Sequence, residues 1–242
     1  MRLDQALCER GLCRSRAQAK SAIQAGLVSV NGSEKIKPGH EVSGSDSIMI
    51  KDHDILHYVS RGALKLIGAL DEFAIDVTGL RCLDAGASTG GFTQVLLERG
   101  AAQVIAVDVG TAQLAQALRD DPRVLSLEQT DIRALDIPPV DFICADLSFI
   151  SLKLVFAKLY LLLKDNGTLI CLLKPQFEAG RHKHGVVKDP KVHARVVREL
   201  CAAAAAEGFT QEGVMRSPIA GKDGNVEFLL YLRKGRNGQP GQ

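Results

Sequence analysis

No stretch of this sequence approaches the ~18 uninterrupted apolar residues that a membrane span requires. The opening Met1-Arg2-Leu3-Asp4 lacks the apolar core of a secretion signal. Cysteines stand at 8, 13, 82, 144, 171 and 201, yet no two of them make a C-x-x-C pair. Cys82, Cys144 and Cys171 fall in apolar, strand-like runs, where cysteine behaves as a small hydrophobe. Neither a disulfide framework nor a zinc site is indicated, and the chain reads as cytoplasmic. His182 and His184 form an H-x-H pair without supporting Cys or Asp spacing, so no metal is expected. A net charge of +2 is too small to announce a polyanionic partner by itself.

What is present is uneven. From Met1 to Lys37 there are seven Lys/Arg against three acids. Residues 1–50 read as a compact α+β unit. Leu3, Ala6 and Leu7 make one helical stripe, and Ala19, Ala22 and Ile23 another behind a Ser15 cap. Leu27 to Val30 reads as a strand ending in Asn31-Gly32, a hairpin signal. Residues 51–59 read as a linker. Ser60 is a candidate cap for a helix burying Ala63, Leu66, Ile67, Leu70 and Phe73, with Arg61, Lys65, Gly68 and Glu72 on the opposite stripe.

Strands are expected at 81–84, 103–107, 124–128, 141–146 and 167–173, alternating with helices near 91–99, 111–119, 151–163 and 191–206. That alternation predicts an α/β fold with a Rossmann-like, mostly parallel sheet covered on both faces. Two last strands, 211–216 and 226–232, have no helix between them, so one antiparallel strand should complete the sheet. The domain runs over 60–234, followed by a Gly-rich tail over 235–242 that reads as disordered.

In such sheets ligands bind outside the carboxyl ends of the strands. The first strand ends at Asp84 and runs into Gly86, Gly90 and Gly91, spaced as neither G-x-G-x-x-G nor a P-loop. An acid just before the glycines repels a pyrophosphate and suits the ammonium of a methionine moiety. Asp108 ends the second strand, placed for a ribose diol, and Asp131 follows the third, placed for an adenine amine or as a helix cap. The pattern points to a nucleoside cofactor, S-adenosylmethionine.

Asp146 closes the fourth strand, Lys174 closes the fifth and Glu227 opens the last, while Lys65 lies in the first turns of the helix before the first strand. Topology brings all four to the cofactor edge. Together they resemble the Lys-Asp-Lys-Glu tetrad of FtsJ-like ribose 2′-O-methyltransferases. Tyr58-Val-Ser-Arg-Gly-Ala-Leu-Lys-Leu66, Asp84-Ala-Gly-Ala-Ser-Thr-Gly-Gly-Phe-Thr93, Ala145-Asp-Leu-Ser-Phe-Ile-Ser-Leu152, Leu173-Lys-Pro-Gln-Phe-Glu178 and Gly224-Asn-Val-Glu227 are similar to segments of the TlyA, or hemolysin A, family of rRNA (cytidine-2′-O)-methyltransferases. Arg2-Leu3-Asp4, Ser15-Arg16 and Val30-Asn31-Gly32 resemble an S4-like RNA-binding domain. The resemblance implies catalytic Lys65, Asp146, Lys174 and Glu227. It adds Ser88, Phe92 and Asp146 to the cofactor set, and Arg2 and Arg61 to the RNA contacts. It makes Lys174 the base: burial and Lys65 favour its neutral form, whereas Asp146 and Glu227 oppose it. Shorter family members are associated with the large-subunit rRNA, so that target is expected for a chain stopping soon after Arg233.

Other chemistries fit less well. Asp146-Leu-Ser-Phe lacks the two prolines of amine methyltransferases, and Cys144 has no preceding proline to suggest a carbon-5 nucleophile. Arg10, Arg14, Arg16 and Lys20 form a locally acid-free cluster. Arg181, Lys183 and Lys188 form a second, continued by Lys191, Arg195 and Arg198. Such clusters suit phosphate contacts to rRNA or a ribosomal subunit. Phe177 is a candidate for stacking on a nucleobase or, equally, a local core residue. The alternatives are an inactive RNA-binding assembly factor and a membrane-active hemolysin. The latter's best candidate helix, Leu152 to Leu163, is interrupted by Lys153 and Lys158.

Overall fold

The structure, a computed structural model, describes residues 1–13, 15–24, 26–34, 36–50, 57–179, 186–221 and 224–235. It separates into two compact units, Met1–Arg61 and Gly62–Gln242. In the first, α1 (Leu3–Glu9) and α2 (Arg16–Gln24) precede β1 (Val28–Val30) and β2 (Ile48–Ile50). Leu3, Ala6 and Leu7 bury with Ala19, Ala22 and Ile23 against Val28 and Val30. Ser15 caps α2, its Oγ accepting from the Gln18 N–H at 3.2 Å. Asn31 and Gly32 do turn the chain in the left-handed region, with φ of 50° and 80°. The turn returns only a single bridge, Val30 to Ser33, rather than the expected hairpin. The partner of β1 is β2, with Val28 opposite Ile50 and Val30 opposite Ile48. Those isoleucines supply apolar side chains to the core, which the residues just after the turn cannot do.

The second unit is built on seven strands: β3 (Arg81–Ala85), β4 (Gln103–Val107), β5 (Val124–Leu127), β6 (Val140–Ala145), β7 (Leu163–Leu173), β8 (Phe209–Arg216) and β9 (Phe228–Lys234). They lie in the order β5-β4-β3-β6-β7-β9-β8. Only β9 is antiparallel to its neighbours. The helices are α3 (Ala63–Glu72), α4 (Gly91–Glu98), α5 (Gln116–Arg119), α6 (Phe156–Leu162), α7 (Pro175–Glu178) and α8 (Pro190–Ala206). Strand residues such as Leu83, Ile105, Ile143 and Leu169 bury with Phe156 and Leu159 of α6 and Val196 and Leu200 of α8. Among the described residues, no helix is long and apolar enough to cross a membrane.

Local departures from the sequence reading have identifiable causes. The helix expected over 111–119 survives only as α5. The Glu128 carboxylate accepts the Ala112 and Gln113 N–H groups at 2.7 and 3.0 Å, holding the preceding residues as a loop. The helix expected over 151–163 splits into a 3-10 turn, Leu152–Leu154, and α6, because β7 already starts at Leu163. Ser60 does not cap α3; the cap position is Gly62, with no side-chain hydrogen bond. The stripe of α3 opposite the apolar one is partly covered: Lys65 is buried, and a Cβ on Gly68 would sit 2.9 Å from the Pro218 ring.

Candidate active site

Parallel strands deliver their carboxyl ends to one edge, and a cleft of ≈ 390 Å³ opens there. Gly86, Ser88, Asp108, Asp131 and Asp146 line it, with apolar Val109, Ile132 and Leu147. Gly86 has φ of 85°, and a Cβ there would lie 2.6 Å from the Asp146 carbonyl oxygen, so only glycine lets the loop pass this close to the end of β6. Asp108 accepts the Ser88 N–H at 2.8 Å and the Gly110 N–H at 2.7 Å, tying the glycine loop to the end of β4. Asp131 caps a short 3-10 turn and pairs with Arg133, which holds its carboxyl down at about 2. The capping alternative therefore describes what Asp131 does in this structure, while it still faces the cleft. Gly90, Gly91 and Phe92 are not among the lining residues. Gly90 packs under Leu114 and Leu118, and Gly91 and Phe92 are buried in the first turn of α4.

Asp84 is fully buried beneath this loop. Thr93 Oγ1 donates to its Oδ2 at 2.7 Å, whereas Oδ1 has no partner. Burial pushes its carboxyl up to about 7. An acid with a free oxygen under a glycine cradle fits a cationic, amine-bearing ligand such as S-adenosylmethionine. In the ligand-free protein the folded state holds the Asp84 proton more tightly than the unfolded chain does. Stability is therefore expected to fall as pH rises from about 4 toward 7, by at most about 4 kcal/mol. Urea unfolding at pH 5 and pH 8 checks this; Asp84→Asn should flatten the difference, and an equal difference in both proteins would refute it.

Lys174 follows β7 and is 8% exposed. Its Nζ lies 2.5 Å from Asp146 Oδ1 and donates to Ser148 Oγ at 2.7 Å. Lys65 Nζ, in the first turn of α3, donates to Glu227 Oε2 at 2.7 Å, both groups being buried. Leu173 pairs with Phe228 across β7 and β9, so Lys174 and Glu227 are the next positions along the same two strands. The register thus sets the two ion pairs side by side. Glu227 precedes β9, its backbone carbonyl accepting from Ser217 N–H at 2.9 Å. Cys144 is fully buried and its thiol is pushed well up by desolvation, which agrees with core packing.

Residues 58–234 match the FtsJ-like methyltransferase family and residues 1–48 match the S4 domain. A Mycobacterium tuberculosis protein named 16S/23S rRNA (cytidine-2′-O)-methyltransferase TlyA is 48% identical over 96% of this chain and 89% of its own length. The chain belongs to the TlyA family. Another TlyA protein, from Campylobacter jejuni, named 23S rRNA (cytidine-2′-O)-methyltransferase, is 42% identical over 73% of this chain and 71% of its own. A solved structure from Streptococcus thermophilus, 41% identical, covers 99% of this chain and 91% of that one with a TM-score of 0.78.

In this TlyA chain several site neighbours carry no signal in sequence. Ser148 was visible only as part of a motif. Gly221 gave no sign at all, yet a Cβ there would overlap the Glu227 carboxylate. Because that carboxylate is pinned by Lys65, it cannot swing away freely. Gly221→Ala is expected to lower kcat about tenfold by displacing Glu227, and to cost about 1–3 kcal/mol of stability. Turnover and urea unfolding of the variant measure both; wild-type values would show that Glu227 has room to move.

The candidate RNA contacts separate by environment. Arg16 is not acid-free: it reaches the buried Asp4 at 3.2 Å, which also pairs with Arg2 at 3.0 Å. The Asp4 carboxyl is held down at about 2, chiefly by its hydrogen bond from Arg2. Arg10 donates to the carbonyls of Asp46 and Ser43 at 2.8 and 3.0 Å. Lys20 and Lys188 are exposed and Arg61 is half-buried. Arg2 lines an open groove with His40 and with Lys37, a cation the sequence did not single out. On α8, Arg195 pairs with Glu199 at 2.9 Å, while Lys191 and Arg198 are exposed. Arg14, Arg181, His182, Lys183, His184 and most of the 51–59 and 235–242 segments lie outside the described residues.

Proposed function

We propose that this chain is a cytoplasmic, S-adenosylmethionine-dependent methyltransferase acting on the ribose 2′-hydroxyl of a cytidine in rRNA. The observation that carries the reading is Lys174, held between Asp146 and Ser148 at the end of β7, one strand position from the Lys65–Glu227 pair. S-adenosylmethionine, when bound, supplies an electrophilic methyl group. Asp84, Gly86, Ser88 and Asp108 hold it, with Asp131 at the base end. A ribose hydroxyl is a very weak acid, so its proton must leave as attack proceeds. Lys174 takes that proton as the neutral amine, after giving up its own to solvent; Asp146 and Ser148 fix the direction of its nitrogen, and Glu227 with Lys65 orients the hydroxyl. Buried amines and carboxylates held in place need little reorganisation during the reaction.

Residues 1–50 act as the RNA-gripping domain, with Arg2, Arg10, Arg14, Arg16 and Lys20 contacting phosphates, joined by Arg61, Arg181 and Lys188. The large-subunit RNA is the target we favour, because the Campylobacter relative is named for 23S rRNA alone and the Mycobacterium relative for both RNAs. Mapping ribose methylation in both rRNAs, from cells with and without the protein, tests the reading. A cytidine in the large-subunit RNA should lose its methyl group when the protein is missing. Unchanged maps would overturn the proposal.

A further inference from the structure

Two segments meet beside the cleft: residues 146–152 after β6 and 174–178 after β7. They are joined at three successive points. Lys174 reaches Asp146 and Ser148. The Phe177 ring tilts against Phe149, with centroids 5.2 Å apart. Glu178 closes the far end, accepting from Ser151 Oγ at 2.6 Å and from the Leu152 N–H at 2.8 Å. The contacts advance in step along both segments. Those at the Glu178 end are hydrogen bonds to a carboxylate, the stronger kind.

The loop between the fastened ends needs such support. Phe149 stands at φ of 64°, in the left-handed region, which a bulky residue holds only when its surroundings over-determine it. Its side chain is nine-tenths exposed, so burial does not hold it there. We propose that Glu178 is a positioning residue: its carboxylate locks the 146–152 loop to the α7 turn, and thereby sets the direction of Lys174 and the spacing of the Phe149–Phe177 pair. This rests on the reading that Lys174 serves methyl transfer.

Full-length Glu178→Ala and Glu178→Gln separate positioning from folding. A glutamine keeps both contacts, its amide oxygen accepting from Leu152 and its NH₂ donating to the Ser151 hydroxyl. Glu178→Ala is expected to lower kcat about tenfold or more while cofactor affinity changes less than about threefold, and Glu178→Gln to stay within about twofold of wild type. Amide hydrogen exchange of residues 146–152, read without substrate, should quicken in the alanine variant alone. The proposal is overturned if the alanine variant keeps wild-type kcat and exchange. It is equally overturned if that variant only melts earlier, with unchanged kcat well below its Tm, or if glutamine is no better than alanine. A wild-type protein that transfers no methyl to rRNA would sink the functional reading instead, and the exchange comparison would still decide the coupling.

Discussion

Lys174→Ala is expected to cut methyl transfer to rRNA by about 10²–10⁴-fold, the contribution typical of a positioned proton acceptor. The amine is the group that Asp146 and Ser148 both hold at the end of β7. Removing it leaves Asp146 without its counter-charge, but that side chain is 23% exposed and water can reach it. The fold should therefore tolerate the change. The cofactor contacts assigned to Asp84, Gly86 and Asp108 lie on other strands and loops, so cofactor affinity should be close to that of wild type. Labelled-methyl transfer and calorimetric titration with S-adenosylmethionine report the two quantities separately. Near-normal turnover would remove Lys174 from the reaction; loss of cofactor binding would show that the variant had damaged the cleft.

Glu227→Ala should be the most destabilising substitution in the site. Lys65 and Glu227 have side chains only 10% and 3% exposed and they rely on one another. Deleting the carboxylate leaves an ammonium buried without its partner, which costs about 3–5 kcal/mol. Urea unfolding of the variant measures that loss. Replacing the pair together, Lys65→Met with Glu227→Leu, should recover most of the stability, because the desolvation of both charges disappears with them. The double variant should still be inactive. A single variant as stable as wild type would mean that solvent reaches Lys65.

Much of this arrangement was legible in sequence, for a reason particular to parallel sheets. Asp84, Asp108, Asp146 and Lys174 each follow an apolar run, and parallel strands place such positions on one edge. Glu227 needed one more inference, that β9 runs the other way, which the missing helix between β8 and β9 allowed. Lys65 was placed at the correct end of α3, but its burial was not legible there, because its partner Glu227 is distant in the chain. Long-range contacts explain the other gaps. Gly221 matters through Glu227, Glu178 through Ser151 and Leu152, and Asp4 through Arg16, and no local pattern announces such pairs. The loop at 111–115 looked helical because its partner, Glu128, lies on the far side of β5 in sequence. Asn31-Gly32 predicted the turn correctly, but strand pairing followed the apolar residues at 48–50 instead.

The strand order has a consequence for how the protein comes into being. β8 emerges from the ribosome before β9, yet it joins the sheet only through β9, which lies between it and β7. Until β9 is made, β7 has an open flank and β8 has no strand to pair with. Closure must wait for a late, non-local pairing of the kind that slows folding. Glu227 arrives with that same strand, so Lys65 stays without its buried carboxylate until the last step. Assembly of the sheet and assembly of the charged site become one event.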